Sequence, residues 1–330
     1  MVKIQLVGLF LLFCLSSFMP KKEKPISKSI EEGTIINLYD AFSKDTALIK
    51  DFGFSCIMKY NGKTILFDAG SNADFFKHNV ERLGIDLTTV DMVVISHVHF
   101  DHLNGLDYVL TKNPKVKIYF PYDIFWGAPV PFDATGQEDL VKDSLPTYMR
   151  YFDGGNTKFR INQSGRFWNA NIEFVKESKQ IMAGMTLVAT NSPFMGYFSG
   201  YPNKSFVEGQ FEKDDHSQYK YTNLPELSLS LQTEKGEIVV VGCSHSGIER
   251  IVEDAKKRTN NNIELVLGGF HLLPFDRKKT VEMCHYLKNN LGVHRVAPAH
   301  CTGHLAFKIL MDMYKTDYLY AGLGETIRFK

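Results

Sequence analysis

The chain has little that would tie it to a membrane, a nucleic acid or a disulfide framework. Only five of its 330 residues are cysteine, at positions 14, 56, 243, 284 and 301, and they are not spaced like the bridges of a small cross-linked scaffold. Neither sign of charge is in excess, with 38 Lys and Arg against 37 Asp and Glu. That balance excludes a broad basic field for nucleic acid or lipid and leaves a small molecule as the expected partner. The apolar run Ile4–Phe18 is shorter than the roughly 20 residues that cross a bilayer. Lys3 precedes it, and Ser16-Ser17 supply small residues near its end. Residues 1–19 therefore read as a secretory signal, with no further transmembrane segment, and residues 20–32 as a polar linker. This predicts an exported protein of the periplasm or cell envelope, or a cytoplasmic one if the N-terminal segment is not a signal. No repeat or low-complexity tract interrupts the rest. At 44% hydrophobic residues, the chain from 33 to 330 can bury a substantial core.

Two stretches share one pattern. Asn61-Gly62 between two β-type runs is a hairpin signal. It is followed by a helix over Ala73–Leu83, a strand over Met92–Ser96, a helix over Leu103–Leu110 and a strand over Val116–Phe120. A second hairpin, Leu227–Gln232 with Glu237–Gly242, is followed by the helix Ile248–Arg258 and the strand Ile263–Leu267. Then come the helix Arg277–Leu291, the strand Arg295–Pro298, the helix Gly303–Tyr314 and a closing strand Glu325–Phe329. A hairpin and then strand–helix alternation, twice over, predicts an α+β protein of two mixed sheets packed face to face with helices outside. From about 121 to 220 the aromatics, among them Phe125, Trp126, Tyr151, Trp168 and Tyr197, follow no clear period. Strand-like pieces at Ile172–Val175 and Met185–Ala189 interrupt this segment, which reads as an aromatic-rich binding insertion.

The chemistry concentrates in His97-Val98-His99-Phe100-Asp101-His102, directly after the apolar run Met92–Ile95. His97 and His99 are two apart, so extended backbone puts both imidazoles on one side. Asp101 and His102 follow where Asn104-Gly105 begins a turn, and approach from a second direction. One short segment thus offers two ligands to each of two adjacent divalent metal ions. Imidazole and carboxylate suit zinc first, then iron or manganese.

Two metals need further ligands, and other strand ends supply candidates. Val239-Val240-Val241-Gly242-Cys243-Ser244-His245 delivers His245, Gly268-Gly269-Phe270-His271 delivers His271, and Ala297-Pro298-Ala299-His300 delivers His300. His245 and His300 complete the set, with Cys243 as the rival at its locus because a thiolate is a good zinc ligand. His271 reads as a group facing the substrate or supporting the ligands. His304, one helical turn after His300, is a weaker candidate. Asp68 ends a hairpin strand and can hold the metal-bearing loop through backbone N–H bonds, or serve only as a turn residue. The N–H groups at Ser246-Gly247 begin a helix and offer a weak anion site.

Together these residues resemble the metallo-β-lactamase superfamily. Its HxHxDH pattern is matched by His97, His99, Asp101 and His102, and its early strand-end aspartate motif by Phe67-Asp68-Ala69-Gly70. Gly-Cys-Ser-His at 242–245, Gly-Gly-Phe-His at 268–271 and His-Cys-Thr-Gly at 300–303 narrow the resemblance to the dihydropterin-synthase-like branch, over roughly residues 33–330. The resemblance implies a four-layer αββα sandwich with a dinuclear site held by His97, His99, Asp101, His102, His245 and His300. Val98 and Ala299 depart from the branch's usual glycine and cysteine. Gly242-Cys243 stands where the superfamily has Gly-Asp, and Pro225-Glu226-Leu227 where its third histidine ligand falls. The expected activity is hydrolysis of an ester, phosphoester or lactone-like small molecule by metal-activated water, with Asp101 and His271 as catalytic groups. Two alternatives are a transferase that joins a pterin to an aminobenzene ribofuranosyl phosphate, and a metal-binding envelope protein without turnover.

Overall fold

The computed structural model describes residues 33–122, 131–134, 159–162, 169–192 and 224–330, with single residues at 146 and 167. The expected signal and linker, and most of the irregular aromatic segment, lie outside the described residues. The strands begin with β1 (Gly33–Tyr39), β2 (Ser55–Tyr60) and β3 (Lys63–Phe67), followed by α1 (Ala73–Arg82), β4 (Met92–Val94), α2 (Phe100–Leu103), α3 (Leu106–Lys112) and β5 (Lys117–Pro121). A short ribbon, β6 (Pro131–Ala134) with β7 (Phe159–Asn162), precedes β8 (Asn171–Val175), β9 (Lys179–Met182) and β10 (Met185–Ser192). The second half contains β11 (Leu224–Thr233), β12 (Gly236–Val241), α4 (Ile248–Thr259), β13 (Ile263–Gly269), α5 (Arg277–His285), β14 (Arg295–Ala299), α6 (His304–Tyr314) and β15 (Thr326–Phe329).

Two mixed sheets result, ordered β15-β1-β2-β3-β4-β5-β8 and β14-β13-β12-β11-β10-β9. Side chains of both, including Met58, Phe67, Leu229, Val240 and Leu267, pack into the layer between them. Phe76 and Val80 of α1 and Leu106 and Val109 of α3 cover the outer face of the first sheet. Ile248, Ile251, Val252 and Ala255 of α4 do the same for the second, together with α5 and α6 residues. Each such aliphatic side chain contributes roughly 1.5–3 kcal/mol over leaving it in water. Side chains cap α1 and α5: Asn72 Oδ1 accepts from the amides of Asp74 and Phe75 at 2.9 and 3.1 Å, and Asp276 Oδ1 from the Lys279 amide at 2.8 Å.

Three sequence expectations change. The segment expected as an insertion contains sheet strands: β8 extends the first sheet beside β5, and β9 and β10 complete the second beside β11. The strand-like pieces read at 172–175 and 185–189 are β8 and β10, and the partly exposed residues of β8 and β9 blur the period-2 signal. The helix expected over 103–110 is two helices broken at Asn104-Gly105. A Cβ on Gly105 would sit 2.0 Å from the Ala69 carbonyl oxygen, so backbone packs on backbone there. The helix from Arg277 is α-helical to His285 and continues as a π-turn over Tyr286–Asn290.

Candidate metal centre

Parallel pairing sets the site. β3 and β4 run parallel, as do β12, β13 and β14. The chain leaves the carboxyl ends of these five strands carrying Asp68, His97–His102, Cys243–His245, His271 and His300. Of the seven non-glycine residues with positive φ among the described residues, four are in this set: Asp68 (56°), Ser244 (66°), His271 (48°) and His300 (48°). Backbone held in this sparsely populated region persists where the surroundings fix it, and it clusters at functional sites.

The side chains meet in overlapping groups. His97, His99 and His245 bring one potential ligand atom each within 4.8 Å of one another, and Asp101, His102, Cys243 and His300 do the same. A third group, Cys243, His245 and His271, shares members with both, so Cys243 lies between them. His102 Nε2 lies 3.2 Å from His300 Nε2 and 3.2 Å from Cys243 Sγ, and Cys243 Sγ lies 3.1 Å from His300 Nε2. Asp101 Oδ2 is 3.6 and 3.4 Å from the same two nitrogens.

Asp68 fixes the proton arrangement. It accepts from the Ser96 amide at 2.6 Å and the Ser96 hydroxyl at 2.7 Å, and lies 2.7 Å from His102 Nδ1. An ionised carboxylate only accepts, so Nδ1 of His102 carries a proton, and Nε2 is the ring atom left to exchange its own proton for a metal, facing Cys243 and His300. Ser96 Oγ, having given its proton to Asp68, takes that of His97 Nδ1 at 2.9 Å. His97 Nε2 then faces His99. Inward-facing lone pairs packed this tightly need cations between them. His245 Nε2 is also buried without a hydrogen-bond partner, which in a native protein demands an explanation such as a bound ion. The donor set of imidazole, carboxylate and thiol fits divalent transition metals.

The electrostatics agree. Burial, then the imidazoles around them, pushes His97 and His245 well below the ordinary histidine range, and burial chiefly takes His99 to about 4. All three stand as neutral ligands. Burial also works to lower His102, but the Asp101 and Asp68 carboxylates overcome it and hold the ring up at about 9. A field that holds a proton there favours any cation in its place. Burial raises the Cys243 thiol well above its usual value, so the proton must leave when a metal takes the sulfur.

Comparison with known proteins agrees with this geometry. A family model described as the metallo-beta-lactamase superfamily matches residues 49–161. The 7,8-dihydropterin-6-methyl-4-(beta-D-ribofuranosyl)-aminobenzene-5'-phosphate synthase of Methanocaldococcus jannaschii is 30% identical over 271 residues, covering 81% of this chain and 85% of the relative. The chain belongs to the metallo-β-lactamase superfamily. An uncharacterized protein of the same archaeon is 28% identical over 83% of this chain and 92% of its own length. The crystal structure of Tm1679, a metal-dependent hydrolase of the beta-lactamase superfamily, aligns with a TM-score of 0.61 at 24% identity over 89% of this chain and 98% of that one. The two mixed sheets flanked by helices are thus the superfamily's fold, and the buried His, Asp and Cys groups are of its metal-binding kind.

Within this superfamily site, His97, His99, Asp101, His102, His245 and His300 all reach one of the first two groups. Cys243 and His245, rivals in the sequence, each reach a group the other does not, Cys243 that of Asp101, His102 and His300 and His245 that of His97 and His99, and they share a third with His271. Ser244 between them is left-handed, at φ 66°. His271 packs on His245 with ring centroids 4.3 Å apart. His304 lines a separate cavity of about 330 Å³ with Asp40, Phe42, Phe307 and Tyr320.

Two supporting carboxylates escaped sequence reasoning. Glu226 is buried and accepts from the amides of His245 at 2.9 Å and Ser246 at 2.6 Å. The helix-start amides thus hold a side chain of the protein itself, not a ligand. Asp40, which burial pushes up to about 7, accepts from the His300 amide with both oxygens at 3.3 Å. Asp40 follows β1 much as Asp68 follows β3, and that repeated strand-end aspartate was the available signal. Glu226→Gln should leave the fold intact and weaken the ion beside His245 by about tenfold, at the lower end for groups that orient a ligand. Metal-buffered titration with His245→Ala alongside checks this; unchanged affinity in Glu226→Gln counts against the role.

Proposed function

We propose that the protein is a dinuclear metal-dependent hydrolase acting on an ester, phosphoester or lactone-like small molecule. The observation that supports this is the pair of adjoining ligand groups with lone pairs turned inward. His97, His99 and His245 would hold one ion, and Asp101, His102, Cys243 and His300 the other, with zinc the first choice by donor chemistry. Bound there, divalent ions lower the pKa of a water molecule and polarise the oxygen at the reacting centre.

The chain's own groups set the rest. Asp68 holds His102, and Ser96 holds His97, in the tautomers that keep Nε2 available. Asp101 has its carboxyl raised by burial but pulled well below the usual range by His102 and His300. It therefore stays ionised and orients the attacking water as an acceptor. Burial works against a charged His271, while Cys301, Glu226 and Asp101 hold it up. It would be the group placed to give a proton to the leaving group, and its buried Nδ1 makes no hydrogen bond within the protein.

The methanogen relative's name favours a second reading, a transferase that joins a pterin to an aminobenzene ribofuranosyl phosphate. The flat rings of both partners suit an aromatic-rich segment. Turnover in water enriched in heavy oxygen separates the two readings. Hydrolysis puts the label into the product acid or phosphate, and Asp101→Ala abolishes it with the fold retained. Coupling of a pterin to an arylamine without label uptake supports the transferase. Full biological function in Asp101→Ala would leave the chain a metal-binding protein without turnover.

A further inference from the structure

Phe52, Phe100 and Leu273 are 48%, 63% and 57% exposed, and among the described residues only Met311, at 50%, is an equally exposed large apolar side chain. Single exposed hydrophobics are ordinary, but a gathered set marks a binding surface. These three belong to segments that carry or brace the metal groups. The Phe52 ring lies 4.6 Å, centroid to centroid, from the His300 ring. The next two residues hold this segment against the HxHxDH turn. The Phe54 amide donates to the Asp101 carbonyl at 3.2 Å, and a Cβ on Gly53 would sit 2.6 Å from that oxygen. Phe100 stands between His99 and Asp101 and opens α2. Leu273 follows His271 by two residues. Its amide donates to the Cys301 carbonyl at 3.4 Å, and its Cα is 2.9 Å from where a Gly303 Cβ would be.

The Phe52–Phe54 and Leu273 segments are braced through backbone that any side chain would serve, apart from the Phe52 ring on His300. The large apolar groups at these positions therefore need another reason. We propose that Phe52, Phe100 and Leu273 form an apolar rim that takes a flat ring of the substrate while its oxygen-bearing headgroup faces the metals. The substrate class is then an aryl or similarly ring-bearing ester or phosphoester, in preference to a small polar one. This rests on the reading of the two groups as a metal site, and it narrows what that site accepts.

The test compares two ligands with one headgroup, phenylphosphonate and methylphosphonate, by calorimetry on protein carrying two equivalents of zinc. Burying the ring is worth about tenfold to a hundredfold in affinity, so wild type should prefer phenylphosphonate by at least about tenfold. Phe52→Ala and Phe100→Ala should each cut that preference by about threefold or more while leaving methylphosphonate and zinc content unchanged. Met311→Ala, away from these segments, should change neither. A wild-type preference below about threefold, or one that survives in the Phe52→Ala/Phe100→Ala double variant, overturns the rim and leaves the metal site standing. Zinc-loaded protein that binds neither phosphonate also overturns it. If the chain takes up no zinc, the hydrolase reading fails instead. The rim is then read alone by fluorine NMR with a fluorophenol: line broadening lost in the double variant supports it, and broadening that persists overturns it.

Discussion

Cys243→Ala should reduce the metal content of the chain from two ions to one under buffered conditions, with the affinity of the lost ion down by more than the 10- to about 100-fold typical of outer supporting groups. The sulfur lies 3.2 Å from His102 Nε2 and 3.1 Å from His300 Nε2, and it also belongs to the group containing His245 and His271. Its removal deletes a ligand atom at the centre of the constellation. The same variant should leave the His97, His99 and His245 group filled. Cobalt loading reads the bond itself: wild type should show near-ultraviolet sulfur-to-cobalt charge transfer, and Cys243→Ala should not. Loading should also release the thiol proton, because burial holds the free thiol above its ordinary pKa. Wild-type cobalt protein without the band would remove Cys243 from the ligand set and return its place to the six residues expected from sequence alone.

Such an outcome would bear on how far the site was legible in the sequence. His97, His99, Asp101 and His102 were readable because strand geometry and a turn decide their directions within six residues. His245 and His300 were readable as strand-end residues in a chain already carrying that motif. Cys243 was visible beside His245, but whether it replaces or joins that histidine was not legible, since their directions depend on one left-handed residue, Ser244. Glu226 gave no sign as a support, and Asp40 only that of a second strand-end aspartate. Glu226 reaches His245 through the pairing of β11 with β12 in one sheet, and Asp40 reaches His300, 260 residues away, only because the two sheets pack face to face. The layers followed from the twice-repeated hairpin and alternation. Within residues 121–220 β8 and β10 were visible as strand-like pieces, but their places in the two sheets and the strand β9 were not, because partly exposed strands such as β8 and β9 give little of the period-2 signal on which such readings depend.

Asp68 makes the sharpest separation between fold and metal. In Asp68→Ala the Ser96 amide, the Ser96 hydroxyl and His102 Nδ1 all lose a fully buried acceptor at 2.6 to 2.7 Å. Breaking a buried charged pair costs about 3–5 kcal/mol, so urea unfolding of the chelated variant should show a loss of that order. Asp68→Asn should behave differently. Its amide oxygen can still accept from the Ser96 amide, but its NH₂ group then faces the hydroxyl and His102 Nδ1. Two donors cannot pair, so Nδ1 gives up its proton to become an acceptor, and Nε2 carries the proton instead. That proton points at Cys243 and His300, where the cation belongs. Asp68→Asn should therefore lose little stability when chelated and yet lose most of its affinity at the Asp101, His102, Cys243 and His300 group, by about 100-fold, the upper end for a group that orients a ligand. Nitrogen NMR of the His102 ring reports the tautomer directly. Retention of the Nδ1–H form with unchanged affinity would show that Asp68 supports the loop alone, through the Ser96 amide.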